Sequence, residues 1–186
     1  PEMNTHAKEM LKIENDPHHA IQKKELIPYF QPILDIQTGE LSAVEVLLRW
    51  KHPELGILMP ESFIPITEAA GLIVAIGKWL LEVVCCHVMR WRNNGIHIPR
   101  VCVNISGRQF RDNLIYIIEH ALETSGLEPE YLELEIIENV LLEENKRNAD
   151  ILKELNKKGV RLSIDDFGTG YSSLSYLKKF PFDVLK

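Results

Sequence analysis

No apolar run in the 186-residue sequence approaches the roughly 18 residues that cross a membrane, and the N-terminus lacks the pattern of a signal peptide. The expectation is a cytoplasmic chain, or the cytoplasmic part of a membrane-anchored protein. Cysteine is scarce. Cys85, Cys86 and Cys102 lie in apolar stretches without metal-ligand spacing, which excludes a disulfide scaffold and predicts buried free thiols in a reducing compartment. Positive charge is also short: 21 Lys and Arg against 27 Asp and Glu leave a net charge of -6, unsuited to a nucleic acid polymer or an anionic membrane surface. A local basic pocket for a small phosphate ligand remains compatible with that balance. Low-complexity tracts are missing, and with 45% hydrophobic and 26% charged residues the composition excludes a disordered tail and suits one packed domain.

What is present is concentrated in residues 162–174, Leu-Ser-Ile-Asp-Asp-Phe-Gly-Thr-Gly-Tyr-Ser-Ser-Leu. An apolar run stops at two adjacent carboxylates, Asp165 and Asp166, and a loop rich in Gly, Thr and Ser leads into the next amphipathic stretch. The pattern predicts strand, acidic turn, helix. Neighbouring carboxylates at a strand end repel unless a positive charge joins them, so a divalent metal is one reading. The other is that they cap the following helix while the glycines permit a tight turn.

Along the chain, residues 1–15 read as a linker or the end of an upstream helix. Asp16 and Pro17 start a short helix running to about Lys24, with His18 and His19 facing solvent. Residues 27–36 and 41–50 are two strands joined by the turn Thr38-Gly39-Glu40, a hairpin whose first strand carries prolines that suit a sheet edge. Helices follow at 60–70 and 73–94, each stopped by glycine. Then come a strand at 100–105, a helix at 114–125, a strand at 132–138 that alternates with Glu133 and Glu135 on one face, and a helix at 143–158. The strand at 160–165, a helix at 172–179 and a strand from 182 to 186 complete the pattern. Strands alternating with helices indicate βαβ units and a parallel sheet. A doubly wound sheet would carry a Gly-rich phosphate loop after its first strand, and this chain has none. The expected class is therefore α/β, a (β/α) barrel whose strand ends converge on one mouth.

Polar residues that interrupt the apolar strands gather at that mouth. Glu45, Asn104, Glu135, Asp165 and Asp166 make an oxygen-rich pocket suited to Mg²⁺ or Mn²⁺, and Lys186 can hold and polarise a water there. Two metals sharing a carboxylate would stabilise an in-line phosphoryl displacement, which points to phosphodiester hydrolysis. Arg49 is a candidate phosphate clamp, with an ordinary surface ion pair as the equally weighted alternative. Asp166-Phe167-Gly168 spells the magnesium tripeptide of protein kinases, but no other kinase signature accompanies it.

These residues resemble the bacterial EAL domain. The resemblance runs in order through Phe30-Gln31-Pro32-Ile33, Glu45-Val46-Leu47-Leu48-Arg49-Trp50, Phe63-Ile64-Pro65, Val103-Asn104-Ile105-Ser106, Glu133-Leu134-Glu135-Ile136-Ile137-Glu138 and the acidic loop from Asp165 to Leu174. It implies a (β/α)8 TIM-like barrel with an antiparallel first strand, a domain over 16–186 that is incomplete at its C-terminus, and hydrolysis of cyclic di-GMP to linear pGpG. It also implies that Glu45, Asn104, Glu135 and Asp165 hold one metal, and that Asp165 and Asp166 serve a second. By the same resemblance, Lys186 orients the attacking water and Arg49, Gln31 and Leu47 meet the substrate. Glu138 steadies the loop of Phe167, Gly168, Thr169 and Gly170, which couples dimerisation to the metals. A homodimer, and a sensor or diguanylate cyclase (GGDEF) domain upstream, are the implied partners. The signature Glu-Ala-Leu is here Glu45-Val46-Leu47, a change that points away from the face carrying Glu45. The family barrel has two further strands with another glutamate and a glutamine, and on that ground a noncatalytic cyclic di-GMP receptor is the alternative to a phosphodiesterase.

Overall fold

The computed structural model describes residues 17–111, 113–137, 146–165 and 180–186. The expected linker, the Asp16 cap, the helix at 172–179, and Glu138, Asp166, Phe167, Gly168, Thr169 and Gly170 lie outside the described residues.

A mixed sheet frames the molecule. β1 (Leu26–Leu34) and β2 (Leu41–His52) form the expected antiparallel hairpin. Asp35 closes its turn by accepting from the backbone N–H groups of Gln37 and Thr38 at 2.9 and 2.8 Å. Those two hydrogen bonds, the Thr38 one first, hold the exposed Asp35 carboxyl below its ordinary range. Gly39 follows at φ 71°, a conformation that costs glycine little. β1 is the edge strand, where Pro28 and Pro32 spare a central ladder their missing N–H groups.

From β2 onward the sheet is parallel: β2 pairs β4 (Val101–Ile105), then β5 (Leu132–Ile137), β6 (Arg161–Asp165) and β7 (Val184–Leu185). The short β3 (Gly56–Leu58) adds antiparallel to the far end of β2. Helices α2 (Pro60–Ala69) and α3 (Ile73–Asn93) lie between β3 and β4 in sequence, α4 (Leu114–Ser125) between β4 and β5, and α5 (Lys146–Lys157) between β5 and β6. α4 ends where Gly126, at φ 74°, returns its N–H to Leu122.

Strand periodicity divides the sheet into two chemistries. One face presents Val44, Val46, Leu48 and Trp50 of β2, Val101, Val103 and Ile105 of β4, Leu132, Leu134 and Ile136 of β5, and Leu162 and Ile164 of β6. All are buried in one core cluster with the apolar stripes of α3, α4 and α5. Each such side chain contributes about 1.5–3 kcal/mol by leaving water, so the helices fix which face is available for chemistry. The opposite face carries the polar residues.

Several expectations need correction. The first helix, expected to reach Lys24, is α1 (Pro17–Ala20) alone. Lys24 adopts φ 56° and the Glu25 N–H closes on the Ala20 carbonyl at 2.9 Å, which turns the chain into β1. The last strand shrinks to two residues. β3 and the 3₁₀ turns Gly107–Arg111 and Pro129–Tyr131 escaped notice because elements this short carry no usable period. Among the thiols, Cys85 and Cys102 are buried but Cys86 is exposed. Adjacent helical residues point about 100° apart, so only one of the α3 pair can face the core.

Candidate active site

The polar face is built by register. Asn104 of β4 lies beside Glu135 of β5, which lies beside Ser163 of β6, and Asp165 pairs with Ile137 one step further up. Across the hairpin Gln31 faces Glu45, Tyr29 faces Leu47, and Ile27 faces Arg49. Side chains opposite one another share a face, so four parallel strands and the edge strand all supply this surface.

Glu45 is half-buried, and its Oε1 accepts from Asn104 Nδ2 at 3.4 Å. Glu135 is 1% exposed. Burial pushes its carboxyl above the ordinary range, and the charges of Glu45 and Asp165 add to that, against the hydrogen bond and charge of Lys186 that pull it down. Lys186 hydrogen-bonds Glu135 through Nζ and lies 4.0 Å from Glu133 Oε1. Burial alone would lower its pKa, but the bond to Glu135 and the nearby anionic groups outweigh burial and raise it. Gln31 and Arg49 flank the cluster on the hairpin; Gln31 is exposed and Arg49 half-buried. Glu45, Asn104, Glu135 and Asp165 thus face one surface, with Lys186 bonded among them and Gln31, Leu47 and Arg49 along its rim.

The reading of the sequence missed two residues. Glu133, 2% exposed, sits one register step below Glu135 and pairs with Arg100 at 3.3 Å and Arg161 at 3.9 Å. Cys102, expected in apolar surroundings, has its sulfur within 4.8 Å of Glu133 and Glu135 carboxylate oxygens. Burial first, then those two carboxylates, raises its thiol pKa. The alternation of 132–138 already put Glu133 on the Glu135 face, and the same period puts Cys102 on the face of Asn104.

The donor set fits a hard divalent cation. Burial and the charges of Glu45 and Asp165 both raise the pKa of Glu135, and the donor atoms of Cys102, Glu133 and Glu135 lie within 4.8 Å of one another, so uncompensated charge there is costly and a cation relieves it.

A sheet of parallel strands flanked by helices, with carboxylates on one face and Lys186 beside them, defines a barrel-type α/β protein with an acidic cluster that could hold a cation. A sequence profile of the EAL domain matches residues 14–186, and the chain belongs to that family. The bifunctional diguanylate cyclase/cyclic di-GMP phosphodiesterase MucR of Pseudomonas aeruginosa is 40% identical over 185 residues, which cover 99% of this chain and 27% of that protein. The cyclic di-GMP phosphodiesterase PdeR of Escherichia coli is 36% identical over 187 residues, covering 100% of this chain and 28% of that protein. The chain spans about a quarter of the length of the curated relatives it matches. Among solved structures, the PaMucR phosphodiesterase in complex with c-di-GMP superposes with a TM-score of 0.89 at 38% identity, over 94% of this chain and 71% of that one. The fold is the TIM-barrel-like α/β architecture of EAL domains.

Proposed function

We propose that the chain is the catalytic part of a metal-dependent phosphodiesterase that opens cyclic di-GMP to linear pGpG. The observation that carries the reading is the gathering of Glu45, Asn104, Glu135 and Asp165 from four parallel strands, and of Lys186 from just past β7, onto one face. MucR and PdeR, which share more than a third of its residues, carry cyclic di-GMP phosphodiesterase in their names.

Glu45, Asn104, Glu135 and Asp165 would hold Mg²⁺ or Mn²⁺, with Asp166 completing a second site. When bound, the metal lowers the pKa of a water and stabilises the charge of an in-line displacement. The chain's own groups do the rest. Arg49 pairs with the non-bridging phosphate oxygens through its planar fork. Lys186, held beside Glu135, donates to the attacking water and orients its lone pair toward phosphorus. Water adds at phosphorus, one ribose 3′ oxygen leaves and takes a proton, and the second diester stays intact. The product is a linear dinucleotide with a free 5′ phosphate. Gln31 and Leu47 line the side on which a base would lie.

The test is chromatography of cyclic di-GMP incubated with the protein and Mg²⁺, with and without EDTA. Metal-dependent formation of pGpG is expected. Retention of the intact ligand bound at one per site, with no pGpG, would replace this reading by that of a receptor.

A further inference from the structure

Tyr29 is 46% exposed on the edge strand, yet its ring is not idle. It lies directly across from Leu47 in the β1–β2 ladder, and the guanidinium carbon of Arg49 stands 5.7 Å from its ring centroid. On the other side Arg49 Nη1 donates to the Leu48 carbonyl at 3.0 Å. An arginine on a strand loses considerable rotamer freedom when it is held in one place. Here one nitrogen is tied to backbone and the guanidinium is braced over an aromatic face, so its remaining N–H groups are aimed rather than wandering.

We infer that Tyr29 is a positioning residue that presets the Arg49 guanidinium for a substrate phosphate. This rests on the assignment of Arg49 to phosphate recognition made above. The contact uses the face of the ring, so the phenolic hydroxyl is dispensable. It also acts through phosphate, so it does not depend on the ligand carrying bases.

The experiment compares Tyr29→Leu, Tyr29→Phe, Arg49→Ala and the double variant Tyr29→Leu/Arg49→Ala in the Mg²⁺-loaded protein. Two diesters serve as substrates: cyclic di-GMP and the base-free bis(p-nitrophenyl) phosphate. Tyr29→Leu should raise KM about 3- to 10-fold for both, the range expected of a partly exposed cation–π contact, with kcat changed less than about twofold. Tyr29→Phe should match the parent, and the double variant should be no worse than Arg49→Ala alone. A loss confined to cyclic di-GMP would overturn the inference, because the ring would then be touching a base. So would a Tyr29→Leu protein indistinguishable from the parent, a Tyr29→Phe loss as large as that of leucine, or additive losses. If the parent protein hydrolyses neither diester, the phosphodiesterase reading fails by itself. The same variants are then compared by equilibrium dialysis of cyclic di-GMP in EDTA. A 3- to 10-fold weakening by Tyr29→Leu that vanishes on the Arg49→Ala background supports the inference, and equal binding by all variants, or none by the parent, overturns it.

Discussion

Glu133 and Glu135 stand two residues apart on one strand face and are held differently. Glu133 is enclosed by Arg100 and Arg161 at the start of β4 and β6, with Lys186 4.0 Å away, whereas Glu135 is hydrogen-bonded to Lys186 and lies near Asn104 and the carboxylates nearer the strand ends. A charge low on a barrel strand serves stability, and one at the strand's C-terminal end serves chemistry. Glu133→Ala should therefore destabilise the fold by about 1–3 kcal/mol in urea unfolding, because two arginines lose their shared acceptor. Their partial exposure keeps the cost below the roughly 3–5 kcal/mol of a fully buried pair. A change under about 0.5 kcal/mol would remove that structural role. Glu45→Ala, by contrast, should leave the unfolding midpoint close to the parent's and lower Mg²⁺-dependent turnover by more than about 100-fold, since groups one step further from a metal already cost about 10–100-fold. Unchanged turnover would remove Glu45 from the ligands. Glu135 was legible in the sequence because a carboxylate interrupting apolar alternation needs a partner. The partners of Glu133 were not, because Arg100 and Arg161 come from strands remote in sequence and only the parallel register brings them alongside.

Among the elements, α3 shows how the face for chemistry is kept clear of the core. It packs on the 3₁₀ turn Gly107–Arg111, and at Gly77 the approach leaves no room for a side chain: an added Cβ would stand 2.1 Å from Gln109 Nε2 and 2.9 Å from its Cδ. Gln109 is 3% exposed, and its Oε1 accepts from the Ser106 N–H at 2.9 Å, just past the end of β4. Gly77→Ala, which would gain about 1 kcal/mol in an exposed helix, should here cost about 1–3 kcal/mol through overpacking. Thermal unfolding reads it; a stabilised variant would mean that Gln109 moves aside freely. Nothing in the sequence around Gly77 marks this approach, since a glycine inside a helical pattern looks the same whether or not a side chain sits against it. The strands were legible for the opposite reason: the alternation in 132–138, and the apolar run broken by polar residues in 100–105, are properties of the segment itself. Length was less so, because the ends of α1 and β7 are set by turns and ladder partners.

At the level of the molecule, one layer of helices covers the apolar face and the carboxylate cluster around Glu135 occupies the other. Burial, not the face of the sheet, sorts the thiols. Cys86 should react with an aromatic disulfide reagent in the native protein, while Cys85, whose thiol burial pushes up to about 12, and the buried Cys102 should react only after denaturation. One fast equivalent rising to three in guanidinium is the expected count, and three fast equivalents would contradict the packing. The barrel class followed from strands alternating with helices, and the metal reading from carboxylates at strand ends. The hydrogen bond between Lys186 and Glu135 did not, because it depends on β7 lying parallel to β6.

The most direct measurement of the central claim is the fate of cyclic di-GMP in the presence of this protein and its Glu45→Ala and Lys186→Ala variants, resolved by ³¹P NMR. With Mg²⁺ the parent should convert the single diester resonance into a diester and a monoester in equal amounts, EDTA should stop it, and both variants should fall by more than about 100-fold. A diester resonance that broadens on binding but yields no monoester, at any concentration of Mg²⁺ or Mn²⁺, would contradict hydrolysis at this site.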